Sequence, residues 1–465
     1  MMTLHQASNW ISMAQLVGDD SVSIKRVHTD TRSLQPGDLF VALKGDNFDA
    51  HQFLAEAKTL GAVAAIAHDG LTQAGLPGLI VGDSKIALGQ LAAGWRSQFD
   101  LPLIAVAGSN GKTTVTQMIA SILRAYRQGQ AFATEGNLNN DIGVPLTLLR
   151  LTPQHRIGVV ELGMNHPGEI AYLAQIARPT IALVNNAQRE HLEFMHTVEA
   201  VAIENGAVID ALGEQGIAVF PADDAYTSVW RHQAGPRQVM TFASVGEADV
   251  TAAADWTDSG WRVVAKTPQG ALEFHLAVAG QHNVKNALAA TACTLAAGVP
   301  LALIAQGLSD FEPVKGRSRA VRLNVDGHHL TLIDDTYNAN PDSMRAAIDV
   351  LADLPGPRLL VMGDMGEVGD QGPLFHGEAG RIACAQGIEY LYTLGANSAL
   401  AGQGFASVKT GHDQHFEDIN ALNAAVIAQL PSVRSVLVKG SRFMKMERVV
   451  QAIISKKQEE PQHAD

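Results

Sequence analysis

A chain of 465 residues has room for about three domains, and with 46% apolar and 17% charged residues it can bury a large core. A formal net charge of −13 argues against nucleic acid as a general partner, because phosphate backbones are bound by basic surfaces. Cys293 and Cys384 are its two cysteines, which excludes a disulfide framework and fits a reducing cytoplasm.

The N-terminus, MMTLHQASNW, lacks a charged stretch followed by an apolar one, so no signal peptide is expected. Residues 1–83 alternate short apolar runs (Asp38–Leu43, Ala62–Ala67, Leu79–Val81) with glycine turns, and a helical pattern lies at Phe53–Leu60. This predicts a small α/β domain. Its polar clusters, Thr29-Asp30-Thr31-Arg32 and Gly45–His51, read either as solvated turns or as a loop pair that holds an anion through Arg32 and backbone amides. Ser84–Phe99 has the pattern of a connecting helix.

The central stretch, 84–317, is organised around Leu101–Met118. Leu103–Ala107 is a β-branched apolar run of the kind found in buried parallel strands, and it breaks at Gly108-Ser109-Asn110-Gly111 before Lys112-Thr113-Thr114 open a helix. Strand, glycine loop and helix start are the context of a phosphate-binding loop. Gly108 and Gly111 let successive N–H groups face phosphate oxygens, Lys112 reaches the β/γ-phosphates, and the Thr113 hydroxyl meets Mg²⁺. The chain is therefore expected to bind a nucleoside triphosphate.

Further along, Gly136–Pro145 is an amide-rich loop carrying Asn137, Asn139 and Asn140, suited to a polar ligand or simply a loop. The strand Arg156–Gly163 ends in Glu161, where a Mg²⁺ ligand is useful. A second strand, Thr180–Val184, leads to His191, which spacing leaves either a solvated loop histidine or a partner of Glu161 at the metal. Ala287–Ala305 superficially resembles a membrane span, but Gly298 and Pro300 divide it into two buried helices, and a soluble protein is expected. Pro313–Arg317 closes this domain and offers Arg317 to a γ-phosphate.

From Ser318 to Asp465 strands and helices alternate again. Strands are predicted at Leu330–Asp335, Arg358–Met362, Glu389–Leu394 and Ser435–Val438, and a helix from Asp342 or Ser343 to Leu354. A doubly wound parallel sheet follows, its polar strand ends facing the central domain across a closable cleft. The charged tail Lys456–Asp465 is expected to be disordered.

Taken together, AGSNGKTT (107–114), GNLNNDIGVPLTLL (136–149), ELG (161–163), HNVKNALAA (282–290), PVKGR (313–317), DDTYNANPDS (334–343), GDMGEVG (363–369) and KGSR (439–442) resemble the Mur ligase family along nearly the whole chain. The resemblance implies an ATP-dependent peptide ligase of cytoplasmic peptidoglycan precursor synthesis, the route that supports cell shape and division. Three α/β domains are implied: a small N-terminal domain for the uridine nucleotide, a central P-loop ATPase-like domain and a C-terminal Rossmann-like domain that closes over ATP. The implied substrates are UDP-N-acetylmuramoyl-tripeptide and D-alanyl-D-alanine, joined through an acyl phosphate by an enzyme expected to be a monomer. It places Thr31, Arg32, Asp49 and His51 at the uridine nucleotide, and Gly108–Thr114, Asn283, Asp335 and Arg317 at ATP. Thr113, Glu161 and His191 fall at Mg²⁺, and Lys112, Glu161, His191 and Arg317 carry the chemistry. Asn137, Asn139, Asn140, Tyr337, Asn338, Lys439 and Arg442 meet the remaining substrate.

One departure matters. The family commonly carries a lysine, carbamylated into a metal-bridging carboxylate, where this chain has Asn205 within Val201–Ala207. Either Glu204 helps to hold a second metal or the amide serves directly, and activity independent of bicarbonate is expected. A smaller departure is Pro221–Asp224, where an asparagine often begins the motif. Rival readings are a sister amide ligase, a P-loop switch ATPase and a non-catalytic nucleotide binder. The absence of a D-N-P-R motif, the third domain ending in KGSR, and intact Lys112, Thr113 and Arg317 weigh against these in turn.

Overall fold

The protein is described by a computed structural model covering residues 1–257, 260–325, 327–407 and 412–459. Three α/β domains follow one another along the chain, each built on its own sheet. In the first, five strands run in the order Gln15–Val17, Gly78–Ile80, Ala64–Ala67, Asp38–Val41, Arg26–His28, parallel except for the Gln15–Val17 edge. Strand alternation sorts its side chains. Leu39 and Val41 face one core, and Phe40 and Ala42 face another on the opposite side.

Helix Ser84–Arg96 is capped by Asp83, whose side chain accepts from the Lys85 and Ile86 N–H groups. Leu88 and Leu91 are buried in the core that also holds Leu39 and Ile66 of the first sheet and Leu103, Ala105 and Ala182 of the central one. The helix is a shared wall between two domains.

The central sheet is wholly parallel, in the order Ala131–Ala133, Ile157–Glu161, Leu103–Ala107, Ile181–Val184, Ile217–Pro221, Gln238–Phe242. Its other face is covered by helices Lys112–Arg127, Gln281–Ala296 and Leu301–Ser309. Pro300 immediately precedes the last of these, so the apolar run breaks where the sequence predicts. Beside them lies an antiparallel meander, Thr251–Thr257, Gly260–Thr267 and Gly270–Leu276, which the sequence reading did not anticipate.

The third sheet corrects one expectation. It runs Arg319–Val325, His328–Asp335, Ser435–Lys439, Arg358–Gly363, Tyr390–Leu394, His412–Phe416, but the first pair is an antiparallel hairpin, so the sheet is mixed. The C-terminal helix extends over Glu447–Glu459, so the predicted disorder does not begin at Lys456; the rest of that expectation lies outside the described residues. No helix among the described residues is long and apolar enough to cross a membrane.

Candidate active site

The carboxyl ends of the central and third sheets face each other across a cleft of about 620 Å³. On the central side the chain leaves Leu103–Ala107 through Gly108 (φ 129°) and Gly111 (φ 81°), left-handed positions that residues with a Cβ rarely adopt. At Gly111 a Cβ would also collide with Asn286 and Asn185. The loop is held by side-chain amides. Asn185 and Asn186 donate to the Asn110 carbonyl (2.8 and 2.9 Å), the Asn186 side-chain oxygen accepts from the Asn110 N–H (2.8 Å), and Asn185 donates to Asn286 (3.0 Å). Asn286 in turn donates to Asn283 (2.9 Å), so a relay of asparagines joins helix Gln281–Ala296 to the loop.

Lys112 Nζ donates to the Gly108 and Ser109 carbonyls (2.6 and 3.0 Å) and to Glu190 (2.9 Å). Glu190 is a residue that sequence reasoning missed. Burial works against its charge, but Lys112 and His191 outweigh that and hold the carboxyl below its usual range.

The Thr113 hydroxyl donates to Glu161 Oε1 (3.0 Å), which also accepts from Asn139 (2.7 Å). Glu161 Oε2 is buried with no partner. A stranded carboxylate oxygen beside a phosphate-loop threonine fits a hard cation, and Mg²⁺ is ordinarily held by one or two carboxylates together with substrate phosphates. No group of three His, Cys, Asp or Glu among the described residues forms a ready metal site.

His191 is placed differently from the expectation that joins it to Glu161. It forms ion pairs with Glu190 (3.5 Å) and with Glu367 of the third domain (2.8 Å). Burial pushes its pKa down, but the two carboxylates prevail and raise it to about 9. As placed, its ring lies between these two carboxylates and not beside Glu161. His191 and Glu367 both hold left-handed backbone (φ 49° and 57°), a strained conformation of the kind that gathers at functional sites.

The departure at 205 also resolves. Asn205 is buried, and its Oδ1 accepts from the Gly108 N–H (2.8 Å), so the amide supports the phosphate loop directly. Glu204 is engaged elsewhere, accepting from the Gly168 and Ile170 N–H groups (2.9 and 2.8 Å) at the start of helix Glu169–Ala177, and neither residue lines the cleft. Of the two alternatives, the contacts here favour the amide serving directly.

Where the central domain hands over to the third, Arg317 stacks over Tyr337 (4.1 Å) with its Nε buried and unpartnered, a donor left free for an anion. Asp335 is ion-paired with Lys439 (2.6 Å) and accepts from the Ser318 N–H (2.9 Å); burial works against its charge, but Lys439 keeps its carboxyl below the usual range. Asn137, Asn338 and Arg442 line the same cleft, as do Asn139, Asn140 and Thr114. Asn140 also accepts from the Gly143 N–H (2.8 Å).

Thr31, Arg32, Asp49 and His51 do not line this cleft. Arg32 is exposed and tied to Asp30 (2.6 Å), in the short 3-10 turn Thr31–Ser33. Asp49 pairs with His51 (2.6 Å) and Lys44 (3.3 Å). Asp30 and Asp49 are both held at about 2, chiefly by hydrogen bonds from Arg32 and from His51 respectively.

A phosphate loop facing a second α/β domain across a cleft fits a nucleotide-driven ligase, and family models agree. The chain matches the Mur ligase family catalytic domain over residues 23–96, the Mur ligase middle domain over 106–294, and the Mur ligase glutamate ligase domain over 316–442. The chain belongs to the Mur ligase family. It is 41% identical to the UDP-N-acetylmuramoyl-tripeptide--D-alanyl-D-alanine ligase of Escherichia coli K12, covering 97% of this chain and 98% of that one. The ligase of the same name from Haemophilus influenzae is 38% identical over 96% and 97%. Among solved structures, a crystal structure of MurF from Acinetobacter baumannii is 35% identical with a TM-score of 0.89, covering 97% and 98% of the two chains. The MurF ligase of Thermotoga maritima, solved in complex with ADP, is 25% identical with a TM-score of 0.82, covering 96% and 100%.

Proposed function

We propose that this chain joins D-alanyl-D-alanine to UDP-N-acetylmuramoyl-tripeptide, using ATP and giving UDP-N-acetylmuramoyl-pentapeptide, ADP and phosphate. The observation that carries the reading is the cleft itself, with the phosphate loop and the unpartnered Glu161 oxygen on one wall and the free Arg317 donor on the other. Residues 1–83 hold the uridine nucleotide through Thr31, Arg32, Asp49 and His51, residues 84–317 hold ATP, and residues 318–465 admit the dipeptide.

Lys112 and the loop amides take the phosphates, while Arg317 offsets charge on the γ-phosphoryl group as it passes to the tripeptide carboxylate. Thr113 and Glu161 hold Mg²⁺, which supplies further charge neutralisation when bound. Transfer breaks the bond to ADP and forms an acyl phosphate. The dipeptide amine then attacks its carbonyl carbon, phosphate leaves, and the amine proton passes to solvent. Tyr337, Asn338, Lys439 and Arg442 line or support the wall that shields this intermediate from water. Asn283 and Asp335 flank the nucleotide.

Phosphate release with the tripeptide nucleotide, measured with and without D-alanyl-D-alanine, tests the reading. Dependence on both, with a pentapeptide product by mass, is expected; release indifferent to the dipeptide overturns it. Because Asn205 cannot form a carbamate, bicarbonate-free enzyme is expected to work at full rate, and rescue by added bicarbonate would contradict that role. The enzyme is proposed to act as a cytoplasmic monomer, which light scattering at working concentration checks.

A further inference from the structure

The loop that leaves strand Ile181–Val184 is one piece with the phosphate loop: Gln188 accepts from the Asn110 side chain (2.6 Å), and the Gln188 N–H donates to Ser109 (2.9 Å). The next residue, Arg189, turns every side-chain hydrogen bond it makes toward the third domain. Its Nε and Nη2 donate to Asp342 Oδ1 (3.0 and 2.7 Å), Nη1 donates to Glu378 (2.9 Å), and its backbone N–H donates to Asp342 Oδ2 (2.7 Å). The guanidinium also lies over the Phe375 ring at 5.1 Å. Asp342 opens helix Pro341–Ala352, whose N-cap Asn340 donates to Asn110 of the phosphate loop (2.9 Å).

We propose that Arg189 is a positioning residue that clamps the third domain shut over the phosphate loop by gripping Asp342 and Glu378 together. Arginine suits the task because its planar fork meets two carboxylates at fixed angles. The apolar contact across this interface is small. Of the residues in the core it borders, only Leu192 and Ala279 come from the central domain. Polar groups therefore decide whether the domain stays docked, and Arg189 satisfies two carboxylates that are each less than half exposed. The clamp sets the Asn110–Asn340 contact, so it places the third domain's wall against the loop that holds the reacting phosphate.

This inference rests on the ligase reading for its kinetic consequence but not for its structural one. Arg189→Ala, Arg189→Lys and Glu378→Gln would be compared with the parent by small-angle scattering, by ATP kinetics, and by the ratio of phosphate released to amide formed. For Arg189→Ala a larger radius of gyration is expected, with a KM for ATP raised about ten-fold and phosphate released in excess of amide, as the unshielded acyl phosphate meets water. The melting temperature should stay within about 2 °C. Lysine should restore part of the loss, since it can pair with one carboxylate but not fork across two, and Glu378→Gln should show a smaller effect in the same direction. A scattering profile identical to the parent overturns the clamp whatever the activity. A lowered melting temperature with an unmoved phosphate-to-amide ratio overturns it in favour of a purely structural role. Expansion of the variant in a parent without ligase activity leaves the clamp standing and removes the functional reading instead.

Discussion

The central domain meets its two neighbours by different physics. Toward the first domain it shares a continuous apolar core through helix Ser84–Arg96, closed by Trp10 against Trp95 (6.3 Å) and by the Trp95 indole N–H donating to the Leu151 carbonyl (3.1 Å). Toward the third domain it offers ion pairs and amides, Arg189–Asp342, His191–Glu367 and Asn110–Asn340. Apolar burial is non-directional and collapses only when the whole seam opens, whereas a few charged pairs exchange readily for water. The first junction is a platform and the second is a latch. The ligase reaction proposed above would use one of each: a fixed seat for the nucleotide-linked substrate and a wall that can move over ATP.

The comparison can be broken first at the platform. Leu88→Ala should cost about 2–5 kcal/mol. Calorimetry should resolve one transition for the first two domains together and another for the third, with only the former moved. A single shifted transition for the whole chain would show that the third domain is fused as firmly as the first.

A smaller effect is expected from acid at the latch's support. His376 is buried, donates from Nδ1 to the Gly372 carbonyl (2.6 Å), and accepts from the Met365 N–H (2.9 Å) in the loop that carries Glu367. Burial holds it below the usual imidazole range despite the Gly372 hydrogen bond. The unfolded chain takes up a proton near pH 6.5 that the folded domain refuses, so this stability is full above about pH 6.5 and is lost as pH falls further. The third-domain transition should drop between neutrality and mild acid, more steeply than in His376→Gln.

The smallest effect is salt. Ionic strength of about 1 M shortens the reach of charges to about 3 Å and weakens partly exposed pairs by up to about 1 kcal/mol. Scattering should then report a looser third domain, while a label pair spanning Trp10 and Leu151 stays at its distance.

Much of this arrangement is legible in the sequence, for reasons particular residues make plain. Leu103–Ala107 breaking into Gly108 and Gly111, and Glu161 at the end of an apolar run, announce themselves because periodicity and glycine leave few alternatives. Strands Gln15–Val17 and Arg26–His28 escaped because their side chains are only partly buried or exposed and carry no apolar alternation. The first strand of the third-domain hairpin, Arg319–Val325, was hidden likewise, with Leu323 its one buried residue. At the site, Glu190, Arg189 and Asn205 were illegible as partners: a polar loop and a helix interior say nothing of which distant loop or domain they face. Their roles rest on contacts spanning 78 to 189 residues.

Lys112 has one more consequence. Its ammonium is already fully coordinated, with two carbonyls of its own loop and Glu190 as the three acceptors that an ammonium can serve. An arriving triphosphate therefore finds a side chain already gathered over the loop, not one swinging free in solvent. Binding becomes an exchange of acceptors, with little rotamer entropy left to lose. In the reaction proposed above, Glu190 serves as a place-holder anion that Lys112 exchanges for phosphate.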